Sequence, residues 1–198
     1  MGISAILLGA GQSKRMGVDK LSLPWGRKTV LTHCFETLLR SEVQELVVVL
    51  GVRNKGAKNL FRGRKVKVVI NPYAYRGMST SIRRGLVALR SRSEGILIAL
   101  GDQPLLKTTT INVLIHAFQK GRGGIIIPSF HGRRGHPVIF HKRYTKELLH
   151  LEGDVGGKSV IERYSQDVQA IRVKSAGVVT DLDTWQNYKK ERKRRGED

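Results

Sequence analysis

The densest group of chemically useful residues is GAGQSKRMGVDK, residues 9–20. Gly9 and Gly11 let a backbone come close to a ligand, so that successive N–H groups can point at phosphate oxygens. The Arg15 guanidinium can bind two oxygens at once and the Lys20 ammonium acts as a point charge, a combination suited to a triphosphate tail. Two familiar loops are excluded. A dinucleotide fold would want glycine where Lys14 stands, and a P-loop would close on Gly-Lys-Ser/Thr where this chain has Arg15-Met16-Gly17. Taken alone, the same residues could equally make a basic turn after a strand.

GDQP, residues 101–104, supplies an acid to go with those cations. It follows an apolar run, so Asp102 is delivered to the edge where that run ends. Polyphosphate chemistry calls for Mg2+, which prefers one or two carboxylates plus phosphate oxygens and water, and Asp102 is the first candidate ligand. A capping aspartate in a tight turn would look the same. Asp181-Leu182-Asp183 offers a second carboxylate. One of its two acids is expected to face the metal, and the other to cap the helix of TWQNYKKERKR.

Other constellations carry less. GDVGGKS, residues 153–159, ends like a P-loop, but Glu152 falls on the required first glycine and the helix-like KRYTKELLH precedes it. Gly156, Gly157 and Lys158 remain available to an anion. The six histidines form no HxxxH or HxH pair, which argues against zinc; His136 in GHPVIF is the one set between glycine and proline. The single cysteine, Cys34, excludes an internal disulfide and a CxxC metal site, and Leu31, Phe35 and Leu38 around it place it in a helix interior.

These pieces need a scaffold, and the chain alternates short apolar runs with helical patterns. The runs are 3–8, 45–51, 66–70, 95–100, 124–128, 136–140 and 168–173, rich in Val, Ile and Leu as strands buried on both faces are. Helical periodicity covers 30–41, 79–91 and 109–120, the last starting at a threonine cap. The alternation predicts an α/β fold: a single-domain, Rossmann-like, doubly wound and mostly parallel sheet. Ligands in such sheets sit beyond the carboxyl ends of the strands. That rule selects 9–17, NPYAYRGMSTS (71–81), GDQP and DLD.

The 198 residues suit one domain, read as 1–188, with 189–198 a basic helix end or tail. The net charge of +20 raises nucleic acid as a partner. The excess is spread along the chain without interleaved aromatics for base stacking, which argues against that partner. No run approaches eighteen apolar residues, and Ile3–Leu8 is too short and lacks the basic lead of a signal peptide. A cytoplasmic protein with no membrane partner is expected.

LGAGQSKRMGVDK resembles the Leu-x-x-Gly-x-Ser-x-Arg-Met-Gly-x-x-Lys signature of nucleotidyltransferases with the MobA-like fold. GDQP, GHPVIF, GDVGGKS and DLDT, in that order, are more narrowly similar to the molybdenum cofactor cytidylyltransferases and their relatives. The likeness spans residues 3 to 188. It implies transfer of CMP from CTP to a molybdopterin-type phosphate with loss of pyrophosphate, a molybdoenzyme receiving the product, and Mg2+ as cofactor. Laid on matching positions, it implies that Leu8, Gly9, Ala10, Gly11, Ser13, Arg15 and Lys20 hold the nucleotide, with Gly77, Ser79 and Ser81 at base and ribose. Arg15, Lys20 and Asp102 would be catalytic, Asp102 and Asp183 metal ligands, and Gly135, His136 and Lys158 would meet the acceptor. Two departures stand out. The cytidylyl branch usually writes Ala-Ala-Gly and the guanylyl branch Ala-Gly-Gly, where this chain has Gly9-Ala10-Gly11. After DLDT the usual Pro-Glu-Asp is Trp185-Gln186-Asn187. Ala10 leans toward cytidine, and Gly9 leaves guanylyl or sugar-phosphate transfer open.

Overall fold

Each apolar run becomes a strand; those inside the sheet are buried on both faces as expected, while the two at its edges, Lys67–Asn71 and Val168–Arg172, have a neighbour on one side only and are mostly half-buried. A computed structural model describes every residue except Gln12, Lys14, Lys65, Ser91, Arg92, Val155, Glu197 and Asp198. Strand β1 (Ile3–Gly9) leads through a loop and a small hairpin, β2 (Pro24–Trp25) and β3 (Lys28–Thr29), into α1 (Val30–Leu39). Next come β4 (Glu45–Gly51), β5 (Lys67–Asn71), α2 (Met78–Ala88), β6 (Gly95–Leu100) and α3 (Thr108–Gln119). The chain continues through β7 (Ile125–Phe130), β8 (Arg133–Arg134), β9 (Val138–His141), α4 (Thr145–Leu149), α5 (Lys158–Arg163), β10 (Val168–Arg172) and α6 (Trp185–Arg194).

The main sheet is ordered β10-β7-β9-β6-β1-β4-β5, with β8 paired on β7. Pairing is parallel except at β9, which runs antiparallel to β6 and β7, and at β8. The domain is therefore the expected Rossmann-like α/β type with a mostly parallel sheet. Side chains alternate along β1. Ile3, Ala5 and Leu7 join a core with α1, α3 and α6, while Ile6 and Leu8 join a second core with α2, α4 and α5. Cys34 is buried in the first core, and burial pushes its thiol well above the ordinary value. It is a packing residue, as its neighbours predict.

One local expectation is corrected here and another holds. No threonine caps α3: the N-cap is Lys107, which makes no side-chain cap bond, and the Thr108 hydroxyl donates instead to the Thr37 carbonyl at 2.9 Å. A tertiary acceptor outcompetes the local one. The segment 153–159 follows α4 with no strand directly before it among the described residues, as the rejection of a P-loop requires.

The strand order places the site. The chain steps outward from β1 to β4 to β5, then returns to the other side of β1 for β6. Winding reverses between β1 and β6, and a crevice opens there beyond the strand ends. Leu8 pairs with Leu100 across that junction, so the loop after β1 and GDQP leave the sheet side by side. The Gly101 N–H donates to the Leu8 carbonyl at 2.9 Å, and a Cβ on Gly101 would lie 2.9 Å from that oxygen. Only glycine lets the two loops start this close together.

Candidate active site

A cavity of about 420 Å³ lies at that crevice. Leu8 lines it from the end of β1, and Ala10, Gly11, Ser13, Arg15 and Lys20 from the segment that follows. Gly77 and Ser81 reach it from the 71–81 region, and Asp102 and Asp183 from the far wall. The structure thus brings together ten of the residues singled out in the sequence from four separated segments.

Lys20 stands at the centre. A short helical turn, Lys20–Ser22, carries it, capped by Asp19, whose carboxylate accepts from the Leu21 N–H and from Asn54 Nδ2. The Lys20 N–H donates to Ser13 Oγ at 3.2 Å, folding the loop back on itself through Ser13 at φ +50°. The Lys20 side chain, 11% exposed, donates to Asp102 Oδ2 at 2.5 Å and to Asp183 Oδ1 at 2.6 Å. Arg15 Nη2 donates to Asp183 Oδ2 at 2.6 Å from a side chain 70% exposed. Burial works against the Lys20 charge, but Asp102 and then Asp183 outweigh it and hold its pKa above the ordinary lysine value.

The carboxylate wall is built by threading one segment between two loops. The Leu182 N–H donates to the Asp102 carbonyl at 3.0 Å, and the His136 N–H to the Val178 carbonyl at 2.8 Å. Gly135 and Gly177 permit this: a Cβ on Gly135 would sit 2.0 Å from the Val178 oxygen, and one on Gly177 would sit 2.1 Å from the Leu105 oxygen. The expectation that one acid of Asp181-Leu182-Asp183 caps the last helix is corrected. Thr184 is the N-cap of α6, accepting from the Asn187 N–H at 3.1 Å, and both aspartates line the cavity. In extended chain residues i and i+2 share a face, so fully buried Leu182 turns into the core and its neighbours turn out together. Burial raises the pKa of Asp181, as do the charges of Asp183 and Asp102. Burial would raise Asp183 as well, but Lys20 and then Arg15 hold it below the ordinary carboxylate value.

Five of the residues named in the sequence do not line the cavity. Gly9 ends β1, packed beneath the loop by Leu31 and Leu50. Ser79 is fully buried, and its hydroxyl has no partner among the described residues. Gly135 and His136 flank the threaded segment. Burial lowers the His136 pKa against the pull of Asp102, and its Nδ1 finds no partner among the described residues. Lys158 is exposed at the start of α5, 3.6 Å from Glu162. Conversely, Tyr75, Met78, Asp154 and Asp181 line the cavity without having been given individual roles from the sequence, although 71–81 and DLD were selected as segments. The i, i+2 spacing could have identified Asp181; nothing local marks Asp154.

The opposite wall depends on Gly77. Its φ is +114°, and a Cβ there would lie 2.3 Å from the Gly153 carbonyl oxygen. Gly77→Ala combines backbone strain with a clash against main chain and is expected to cost about 3 kcal/mol. Chemical denaturation of the two proteins checks this; equal midpoints would show that the wall yields freely.

Residues 5–168 match the MobA-like NTP transferase domain. The molybdenum cofactor cytidylyltransferase of Escherichia coli (strain K12) is 24% identical over 94% of this chain and 93% of its own. A probable molybdenum cofactor guanylyltransferase of Methanosarcina mazei is 34% identical over 74% of this chain and 65% of its own. Among solved structures, Rv0371c from Mycobacterium tuberculosis H37Rv superposes with a TM-score of 0.86 at 27% identity, covering 96% of each chain.

Proposed function

The chain belongs to the MobA-like NTP transferase domain family, and from that premise we propose that it transfers CMP from CTP to a molybdopterin-type phosphate, releasing pyrophosphate. The observation that carries this reading is the buried Lys20 ammonium set between Asp102 and Asp183 in a cavity at the β1–β6 crevice. An acceptor phosphate oxygen would form a bond to the α-phosphorus of CTP while the bond from that phosphorus to the β-phosphate bridging oxygen breaks. The attacking phosphate is already largely ionised near neutral pH, so positioning and charge neutralisation matter more than a general base. Ala10 and Gly11 would present backbone donors to the nucleotide, with Leu8 and Ser13 beside them and Gly9 setting the start of the loop from beneath. Arg15 and Lys20 would neutralise the departing pyrophosphate. Gly77 and Ser81 would meet base and ribose, with Ser79 buried behind them, and Gly135, His136 and Lys158 would lie on the acceptor side.

The donor set fits Mg2+. Asp102 Oδ1 is buried without a hydrogen-bond partner among the described residues, Lys20 bridges Asp102 and Asp183, Arg15 also meets Asp183, and Asp181 lines the same cavity. Among the described residues no group of three His, Cys, Asp or Glu ligands is assembled. Asp102 and Asp183, completed by phosphate oxygens and water, are then the ligands on offer, an arrangement Mg2+ favours. When bound, the ion would neutralise phosphate charge.

Guanylyl transfer is the second reading, supported by the Methanosarcina relative, while Gly9 matches neither branch. Pyrophosphate release assayed with each of the four nucleoside triphosphates, with and without molybdopterin, separates them. Release is expected only with CTP, Mg2+ and molybdopterin together. Release with GTP would select the guanylyl reading, and release with a sugar phosphate would replace the acceptor.

A further inference from the structure

Helix α2 presents its first turn to the cavity through Gly77, Met78 and Ser81, yet nothing in its own sequence caps it: the N-cap is Gly77, which has no side chain to accept a hydrogen bond. The missing acceptor comes from a distant loop. Asp154 Oδ1 accepts from the Met78 N–H at 2.8 Å, and the Gly153 carbonyl accepts from the Ser79 N–H at 3.3 Å. Two contacts lock the loop there. Gly77 packs so closely on Gly153 that a Cβ would meet its carbonyl carbon at 2.5 Å, and a Cβ on Gly156 would lie 3.0 Å from Met78 Sδ. Asp154 itself lines the cavity.

We infer that Asp154 is a positioning residue that holds the nucleotide-facing end of α2 in place, so that Gly153, Asp154 and Gly156 act with the 77–81 turn as one wall. The inference rests on the reading that this cavity takes a nucleoside triphosphate. Helix N-termini without a side-chain cap leave several N–H groups unsatisfied, and a carboxylate at that end is favoured by the helix dipole. Asp154 acts through α2: it fixes where Gly77 and Ser81 stand when the nucleotide arrives. Its removal therefore weakens nucleotide binding before it alters the chemical step. The hydrogen bond is the operative property, since the N–H it meets is neutral and an amide oxygen would also accept.

Hydrogen exchange and steady-state kinetics on the full chain test this with Asp154→Ala and Asp154→Asn. In Asp154→Ala, exchange at the Met78 and Ser79 amides of the free protein is expected to rise about fivefold, the loss of a typical cap. Protection later in α2, at Ile82 and Leu86, should not change. KM for CTP should rise by about the same factor with kcat much less affected, and Asp154→Asn should recover most of both losses. Wild-type exchange and KM in Asp154→Ala would overturn the inference. So would an Asn variant as impaired as the Ala variant, because charge would then be what matters. If the wild-type protein binds none of the four nucleoside triphosphates, the functional reading fails, while the exchange comparison still decides whether Asp154 holds the helix.

Discussion

Asp102→Asn loses nucleotidyl transfer almost completely, by at least about 10³-fold in kcat, the scale on which charge stabilisation contributes to phosphoryl transfer. The substitution keeps the shape of the side chain and the backbone bond from Leu182, but removes the charge that faces Lys20 at 2.5 Å. It also removes the carboxylate whose Oδ1 is buried without a partner among the described residues. Turnover under saturating CTP, Mg2+ and molybdopterin measures the loss, and circular dichroism checks that the sheet is intact. A folded Asp102→Asn protein with wild-type turnover would remove Asp102 from the site and take the proposed metal position with it.

Lys20→Met produces the second large effect, about 10²- to 10³-fold in kcat, comparable to deleting one preorganised donor from a polar transition-state site. Methionine fills similar volume but leaves Asp102 and Asp183 without their shared partner, so this variant also shifts the balance between protein and pH. In the wild type, Asp183 has a pKa below its ordinary 3.8 and so contributes stability that is present above that value and lost as pH falls through the lowered pKa. Lys20, raised above 10.5, contributes stability that is present below that value and lost as pH rises through the raised pKa. The melting temperature of Lys20→Met should therefore fall furthest below wild type near neutrality, and the gap should narrow below about pH 4 as the carboxylates take up protons. A gap that stays constant from neutrality to acid would show that the ion pairs do not couple to folding.

The fold was largely legible because its signal is local and repetitive. Runs such as ELVVVLG and GILIAL announce strands buried on both faces without reference to partners, and β4 and β6 form over those same residues. The loop after β1 was legible as a candidate phosphate site for a similar reason: its glycines and cations lie within a dozen residues, and their types suit that chemistry. Capping was less legible. Thr108 looks like a helix cap and is drawn away by Thr37, while α2 carries no cap in its own sequence and borrows Asp154.

Residue type and short-range spacing are enough to specify a strand, a turn or a charged loop, because each depends on neighbours within a few positions. They therefore settled the α/β architecture and the identity of Arg15, Lys20 and Asp102 as the groups worth attention. Which of those groups meet is a matter of chain crossing. Lys20 contacts Asp102 across 82 residues and Asp183 across 163, and Met78 meets Asp154 across 76. Those contacts exist because β6 returns beside β1 and because Gly135 and Gly177 let the 176–183 segment thread between two loops, placing Asp181 and Asp183 together on one wall. No local pattern encodes such a crossing, since its determinants are backbone clearances between segments that the sequence keeps far apart.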